Sequence, residues 1–200
     1  MLVAMIPRLA RVLTALVATV VLLTPTVMGA SDTAPPTPPA SGEQALVVDV
    51  IDGDTIRIER DDGTVERVRY IGIDTPEIGH APGERDEPFG REAAQANAQL
   101  VADRSVLLER DVSDRDRYER LLRYVWVELP EGWLMVNGEL AARGLAEVRA
   151  YAPDTRHHDW LSQLHDEAVA AGLGMYDTTP ESERDTRDLL EIIAELIGWD

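Results

Sequence analysis

Between Val47 and Ile73, apolar residues recur at alternate positions and are interrupted twice by turn residues. Val47, Val48, Val50 and Ile51 make a first β-rich run, Asp52-Gly53 follows, and Ile56 and Ile58 then alternate with Arg57 and Glu59. Period-two alternation on either side of an Asp-Gly pair predicts a hairpin. After a second turn at Asp61-Asp62-Gly63, the run from Val65 to Ile73 predicts a third strand. It stops at Asp74-Thr75-Pro76-Glu77, because proline has no N–H to give to a ladder. Ser105 to Glu109 predicts a fourth strand, and Leu121 to Leu129 a fifth in which Val125 and Val127 alternate with Trp126 and Glu128. The charged stretch from Asp111 to Glu119 between them predicts a loop.

Elsewhere the pattern is helical. Gly90 to Ala102 is a run of good helix formers with Ala93, Ala94, Ala98, Leu100 and Val101 available for a buried side. Met135 to Arg143 predicts a short helix ended by Gly144, and Thr155 to Ala171 a longer one stopped by Gly172, with Trp160, Leu164 and Ala168 on one face. Short strands followed by helices predict an α+β chain, and a small five-stranded barrel is its natural closed form. Within residues 185–199, Leu189, Leu190, Ile193, Leu196 and Ile197 form an apolar stripe beneath an acidic face, which predicts a further amphipathic helix. That helix either docks on its own domain or makes a contact with a partner or a second copy of the chain. Its acidic polar face argues against a membrane role.

The two ends differ from the middle. Arg8 and Arg11 precede the apolar run Val12 to Leu23, and Pro25, Gly29 and Ala30 follow, the layout of a secretory signal. Residues 1–30 are thus expected to be a signal peptide, giving a secreted or cell-surface protein with no stable membrane contact after cleavage. An apolar count extended to Met28 leaves an uncleaved N-terminal anchor open. Residues 31–44 are a Pro/Ser/Thr-rich linker, residues 45–177 the folded domain, and residues 178–200 an acidic helical extension.

Composition changes the picture in two respects. The chain has no cysteine, which excludes disulfides and thiolate zinc sites. Its 19 basic residues, all arginine, stand against 37 acidic ones for a net charge of −18, which repels polyanions at long range. Arg67, Arg69, Arg115, Arg117, Arg120 and Arg123 nonetheless crowd two short segments, so a local positive patch can coexist with an acidic body.

Asp54 and Asp74 stand at strand ends and offer hard oxygen ligands of the kind that hold Ca²⁺ or Mg²⁺. Taken singly, aspartates beside glycine and proline are ordinary turn residues. Glu77 three residues after Asp74, Arg69 five before it and Arg120 at the start of the fifth strand make a set suited to phosphodiester hydrolysis. A metal neutralises phosphate charge, a carboxylate takes a proton, and arginines stabilise the negative charge that builds on phosphorus. His80, His157, His158 and His165 lack ligand spacing and read as solvent-facing or capping groups.

The segments IDGDTI, RYIGIDTPE, DRYERLLRYVW and VNGELAARGLAEV resemble the staphylococcal nuclease (thermonuclease) family, in the same order and at similar spacing, from about Val47 to Tyr176. The resemblance implies an OB-fold β-barrel with three helices and a Ca²⁺-dependent endonuclease that acts on DNA and RNA and leaves 3′-phosphate ends. It matches Asp54 and Asp74 to the metal-binding aspartates, Thr75 to the residue that supplies a carbonyl ligand, and Glu77 to the general base. Arg69 and Arg120 match the two phosphate-binding arginines, and Arg117, Tyr118 and Tyr151 match substrate contacts. Glu119 stands where the family usually has glycine, Arg117 where it often has lysine, and Arg149 where it has one of two tyrosines. The alternative function is a non-catalytic OB-fold module that holds single-stranded nucleic acid. The scarcity of aromatic residues, with Phe89 the single phenylalanine, speaks against it.

Overall fold

The computed structural model describes residues 34–79 and 83–179. The expected signal peptide, His80 and the amphipathic stretch at 185–199 lie outside the described residues. Along the chain run β1 (Glu43–Val50), β2 (Thr55–Glu59), β3 (Val65–Tyr70), the two-residue β4 (Ile73–Asp74), α1 (Gly90–Val101), β5 (Ser105–Glu109) and β6 (Leu121–Leu129). There follow β7 (Gly132–Met135), α2 (Val136–Ala142), β8 (Glu147–Val148), α3 (His158–Ala171) and a 3-10 turn at Gly174–Tyr176.

Strand β1 pairs antiparallel with both β2 and β5, β2 with β3, and β5 with β6. Parallel pairing of Val68 with Leu121 and Tyr70 with Arg123 joins β3 to β6 and closes a five-stranded barrel, the α+β architecture expected from the sequence. Closure leaves these strands no open edge among themselves. Ile56, Ile58, Val68, Tyr70, Leu121 and Val125 fill the interior, each almost wholly buried.

Strand β6 is buried on both faces. Trp126, which alternation alone would put outside, is 1% exposed, because the start of α3 covers it: His157 packs edge-on against both Trp126 and Tyr124. Beneath it, Glu109 accepts the Trp126 indole N–H at 2.8 Å and lies 3.1 Å from His157 Nε2, and Arg156 donates to it at 2.8 Å. His157 is thus half-buried at the N-cap position of α3, the capping rather than the solvent-facing place. Helix α1 turns Ala93, Ala96, Asn97, Leu100 and Val101 inward, so the buried stripe includes Ala96 and Asn97 in place of Ala94 and Ala98.

Two element boundaries depart from those expected. The third strand ends at Tyr70. Ile71 donates its N–H to the Arg123 carbonyl and accepts the Asn137 amide N–H at its own carbonyl, and Gly72 at φ 80° redirects the chain so that β4 pairs with β8. Only glycine adopts that dihedral without strain. Buried Asn137 also accepts the Val125 N–H at 2.9 Å, so one side chain links β6 to the chain between β3 and β4. Finally, β1 begins at Glu43, inside the stretch expected to be linker, since Glu43 and Gln44 pair with Leu108 and Leu107.

Candidate active site

Asp54 sits where β1 turns into β2, with no exposed surface. Its N–H donates to Asp52 Oδ1 at 2.9 Å, an Asx turn that fixes the backbone, and its carbonyl accepts the Tyr70 N–H. The carboxylate accepts the Thr55 hydroxyl at 3.1 Å and the Thr75 N–H at 2.8 Å. A Cβ on Gly53 would stand 2.6 Å from Thr75 Oγ1, so glycine is what lets the segment after β4 lie against this turn.

Arg69 completes the cluster. Paired across the β2–β3 ladder with Thr55, it sends one guanidinium nitrogen to Asp54 and the other to Asp74, and donates to the Ile73 carbonyl at 3.3 Å. Two aspartates 20 positions apart in sequence therefore face one cation. Asp74 also meets Arg149 Nε at 3.3 Å across the β4–β8 ladder. Arg149 thus enters as an ion-pair partner of a candidate metal ligand, a role its place in the sequence did not signal.

Glu77 lies beyond β4, and its N–H donates to Glu87 Oε2 at 3.0 Å. Its side chain reaches solvent, yet its pKa is raised. Surrounding protein removes part of its hydration, the negative charges of Asp52, Asp74 and Glu87 push the same way, and Arg69 opposes them without prevailing.

Arg120 projects from the turn before β6. Asp116 accepts both its backbone N–H and its Nε, at 2.9 and 2.7 Å. Among the described residues no acceptor takes its two terminal nitrogens, which leaves a fork with its stem fixed and its prongs free. Burial pushes the Asp116 carboxyl up, but hydrogen bonds from Arg120 and the Tyr118 N–H outweigh it, and its pKa is lowered. The loop before Arg120 has its own brace, buried Arg123, which bonds Asp114 through both its carbonyl and its carboxylate. Arg123 is therefore a structural residue and not part of an exposed positive patch. Glu119 occupies the left-handed region at φ 62°, where the residue preceding Arg120 must turn.

Arg69 and Arg120 line one cleft of about 440 Å³, together with Arg117, Tyr118 and Tyr151. Tyr118 lies under two guanidinium groups, 4.7 Å from Arg117 and 5.5 Å from Arg120, and its hydroxyl accepts from Arg117 at 2.6 Å. Asp54, Asp74, Thr75 and Glu77 lie outside that lining, and Arg69 connects the two groups. The partners Asp116, Glu87 and Arg149 escaped the sequence. Only the i, i+4 spacing of Asp116 and Arg120 offered a signal.

The donor chemistry fits a hard divalent cation: two aspartates converge, and all nearby donors are oxygens. Among the described residues no three His, Cys, Asp or Glu side chains gather into a ready cage. The remaining ligands of such an ion would be a main-chain carbonyl, water and substrate, an arrangement that hard cations accept.

Residues 67–178 match the family described as Staphylococcal nuclease homologue. The chain is 39% identical over 136 residues to the thermonuclease of Staphylococcus intermedius, an alignment covering 68% of this chain and 77% of that protein. This chain belongs to the staphylococcal nuclease family. It is also 36% identical over 129 residues to the thermonuclease of Staphylococcus hyicus, with 64% and 73% covered. Against the endonuclease YncB of Bacillus subtilis it is 36% identical over 145 residues, with 69% and 66% covered. The family match opens at Arg67 and so takes in Arg69, Asp74, Glu77 and Arg120, while Asp54 lies upstream of it and meets Arg69 and the Thr75 N–H.

Proposed function

We propose that this member of the staphylococcal nuclease family is an exported, Ca²⁺-dependent endonuclease that hydrolyses phosphodiester bonds of DNA and RNA and leaves 3′-phosphate ends. The observation that carries the reading is the double role of Arg69, ion-paired to Asp54 and Asp74 while lining the same cleft as Arg120. One guanidinium thus ties a carboxylate cluster to a cationic groove, the two halves of a phosphodiesterase site. The names of the relatives, thermonucleases and an endonuclease, support the reaction class.

Asp54 and Asp74, with the carbonyl of Thr75, would hold the cation, which when bound offsets phosphate charge and acidifies water. Arg69 and Arg120 bind the non-bridging phosphate oxygens, and the stem contact with Asp116 spares Arg120 the entropy of finding its position. Glu77 takes the proton of the attacking water, and its raised pKa makes it a better base than an ordinary surface carboxylate. A water oxygen bonds to phosphorus, the bond to the 5′ oxygen breaks, and the proton passes to that leaving oxygen. Arg117, Tyr118 and Tyr151 supply the wall against which the nucleotide rests. The arginine-flanked apolar run near the N-terminus supports export to the cell surface or medium.

Release of acid-soluble nucleotides from DNA and RNA by the purified protein with Ca²⁺ tests the reading. Chelation should abolish release, and Glu77→Gln should slow it by on the order of 10² or more. Activity untouched by either treatment would remove the mechanism. A gel shift that persists in chelator, with no cleavage under any divalent ion, would favour the single-strand-binding alternative.

A further inference from the structure

A second groove, also about 440 Å³, is lined by Arg57, Val65, Glu66, Arg67, Arg115 and Glu119 and lies on the outer face of the β2–β3 hairpin. Its central feature is a cross-strand pair of like charges: Arg57 and Arg67 are direct partners in the ladder. Like charges placed opposite one another destabilise a sheet, and here they do so on an exposed face where any polar residue would serve. Neighbouring acids offset part of this charge. Asp49 bonds Arg57 at 2.9 Å, Glu66 takes Arg115 through both oxygens at 2.8 and 3.0 Å, and Glu119 stands on the rim. Among the described residues no carboxylate pairs with Arg67, whose hydrogen bond goes to the Tyr118 carbonyl at 3.2 Å. In a chain of net charge −18, where carboxylates are abundant, an arginine left without one beside a second arginine marks a place for an anion from outside.

The groove adjoins the candidate catalytic cleft through residues that are neighbours along the chain. Arg67 and Arg69 are two residues apart on β3 and project to the same face, about 7 Å from one another along the strand. Tyr118, whose carbonyl Arg67 holds, lines the first cleft, and Glu119, the next residue, lines the second. A row of guanidinium groups therefore runs from Arg69 to Arg67 and across the ladder to Arg57.

We propose that Arg67 and Arg57 form a second phosphate subsite, which takes a phosphodiester of the same polynucleotide strand beyond the one being cut. The inference rests on the nuclease reading above and adds to it a preference for polymer over dinucleotide. A strand gripped at two phosphates is held in register over Arg69, and a dinucleotide offers nothing to the second subsite.

The test compares kcat/KM on a single-stranded 12-mer and on a dinucleotide for the wild type, for Arg57→Ala/Arg67→Ala, and for Arg57→Lys/Arg67→Lys. The alanine pair should lose at least about tenfold more on the 12-mer than on the dinucleotide, mainly in KM, the scale of one charge-assisted contact. Its dependence of log kcat/KM on log salt should be shallower by about 0.7, one phosphate contact on a single strand. The lysine pair should recover most of the loss, because charge rather than shape is what the subsite supplies. Equal losses on both substrates, or an unchanged salt slope, would overturn the subsite and leave the nuclease reading intact. Cleavage of neither substrate by the wild type would overturn the nuclease reading instead. The subsite would then be decided by fluorescence anisotropy of a labelled 12-mer, where the alanine pair must bind at least about tenfold more weakly.

Discussion

Replacing Glu119 with glycine should stabilise the protein, and the size of the gain follows from one dihedral angle. Glu119 sits at φ 62°, a region that costs a residue bearing a Cβ roughly 1–2 kcal/mol. Glycine enters it without strain, but its greater freedom in the unfolded chain takes back about 0.5–1 kcal/mol. The backbone bonds of the turn, Glu119 N–H to the Asp116 carbonyl at 3.1 Å and Arg115 to the Glu119 carbonyl at 2.9 Å, survive the change. The lost carboxylate is exposed, where a charge contributes little. The net expectation is a gain of about 0.5–1 kcal/mol, which for a fold of this size is about 1–4 °C in Tm. Thermal unfolding followed by circular dichroism checks it, with Glu119→Ala as the control that removes the charge but keeps the strained backbone. Glu119→Gly should melt higher and Glu119→Ala should not. A gain of equal size in both would assign the effect to charge, and a fall in Tm with glycine would refute the argument from strain. Activity should change little, because Asp116 and not Glu119 holds the Arg120 side chain.

Two further expectations concern buried polar groups. Asn137→Ala leaves the Val125 N–H and the Ile71 carbonyl buried without partners, and should destabilise by about 2–4 kcal/mol in denaturant unfolding. A loss under 1 kcal/mol would mean that water replaces the amide. Burial alone would raise the Glu109 pKa, but hydrogen bonds from His157, Arg156 and Trp126 reverse this and leave it lowered. A lowered carboxylate pKa contributes stability that is present above the unfolded value near 4.5 and is lost as pH falls through the folded value. Glu109→Gln should therefore be less stable than wild type at pH 7, with the difference shrinking in acid, and a constant difference in Tm across that range would exclude the linkage.

What the sequence made legible follows from how each feature is encoded. The five barrel strands and three helices are long enough to carry a period, and their order from Val47 to Ala171 matches the observed one once the short β4, β7 and β8, which were not expected, are set aside. Two-residue β4 and β8 have no period to show. Their pairing exists because Gly72 redirects the chain and Arg149 gives its N–H to the Gly72 carbonyl. The cover over Trp126 was hidden for a related cause: alternation states which residues share a face, but not which faces a later helix will cover. At the candidate site, Asp54, Arg69, Asp74, Glu77 and Arg120 could be picked out because turn residues and strand ends sit at recognisable spacings. Their partners could not. Asp116, Glu87 and Arg149 lie among many acids and arginines of equal promise, and only tertiary geometry selects one ion pair over another.

The parallel seam between β3 and β6 also dictates when the cleft comes into being. Arg69 lies within that seam and Arg120 just ahead of it, so neither occupies its place until two distant stretches of polypeptide have met. Such long-range pairing is slow, since the loop must close before any contact rewards it. Return of hydrolysis during refolding would then time the sealing of the barrel, lagging behind helical signals that report only local order.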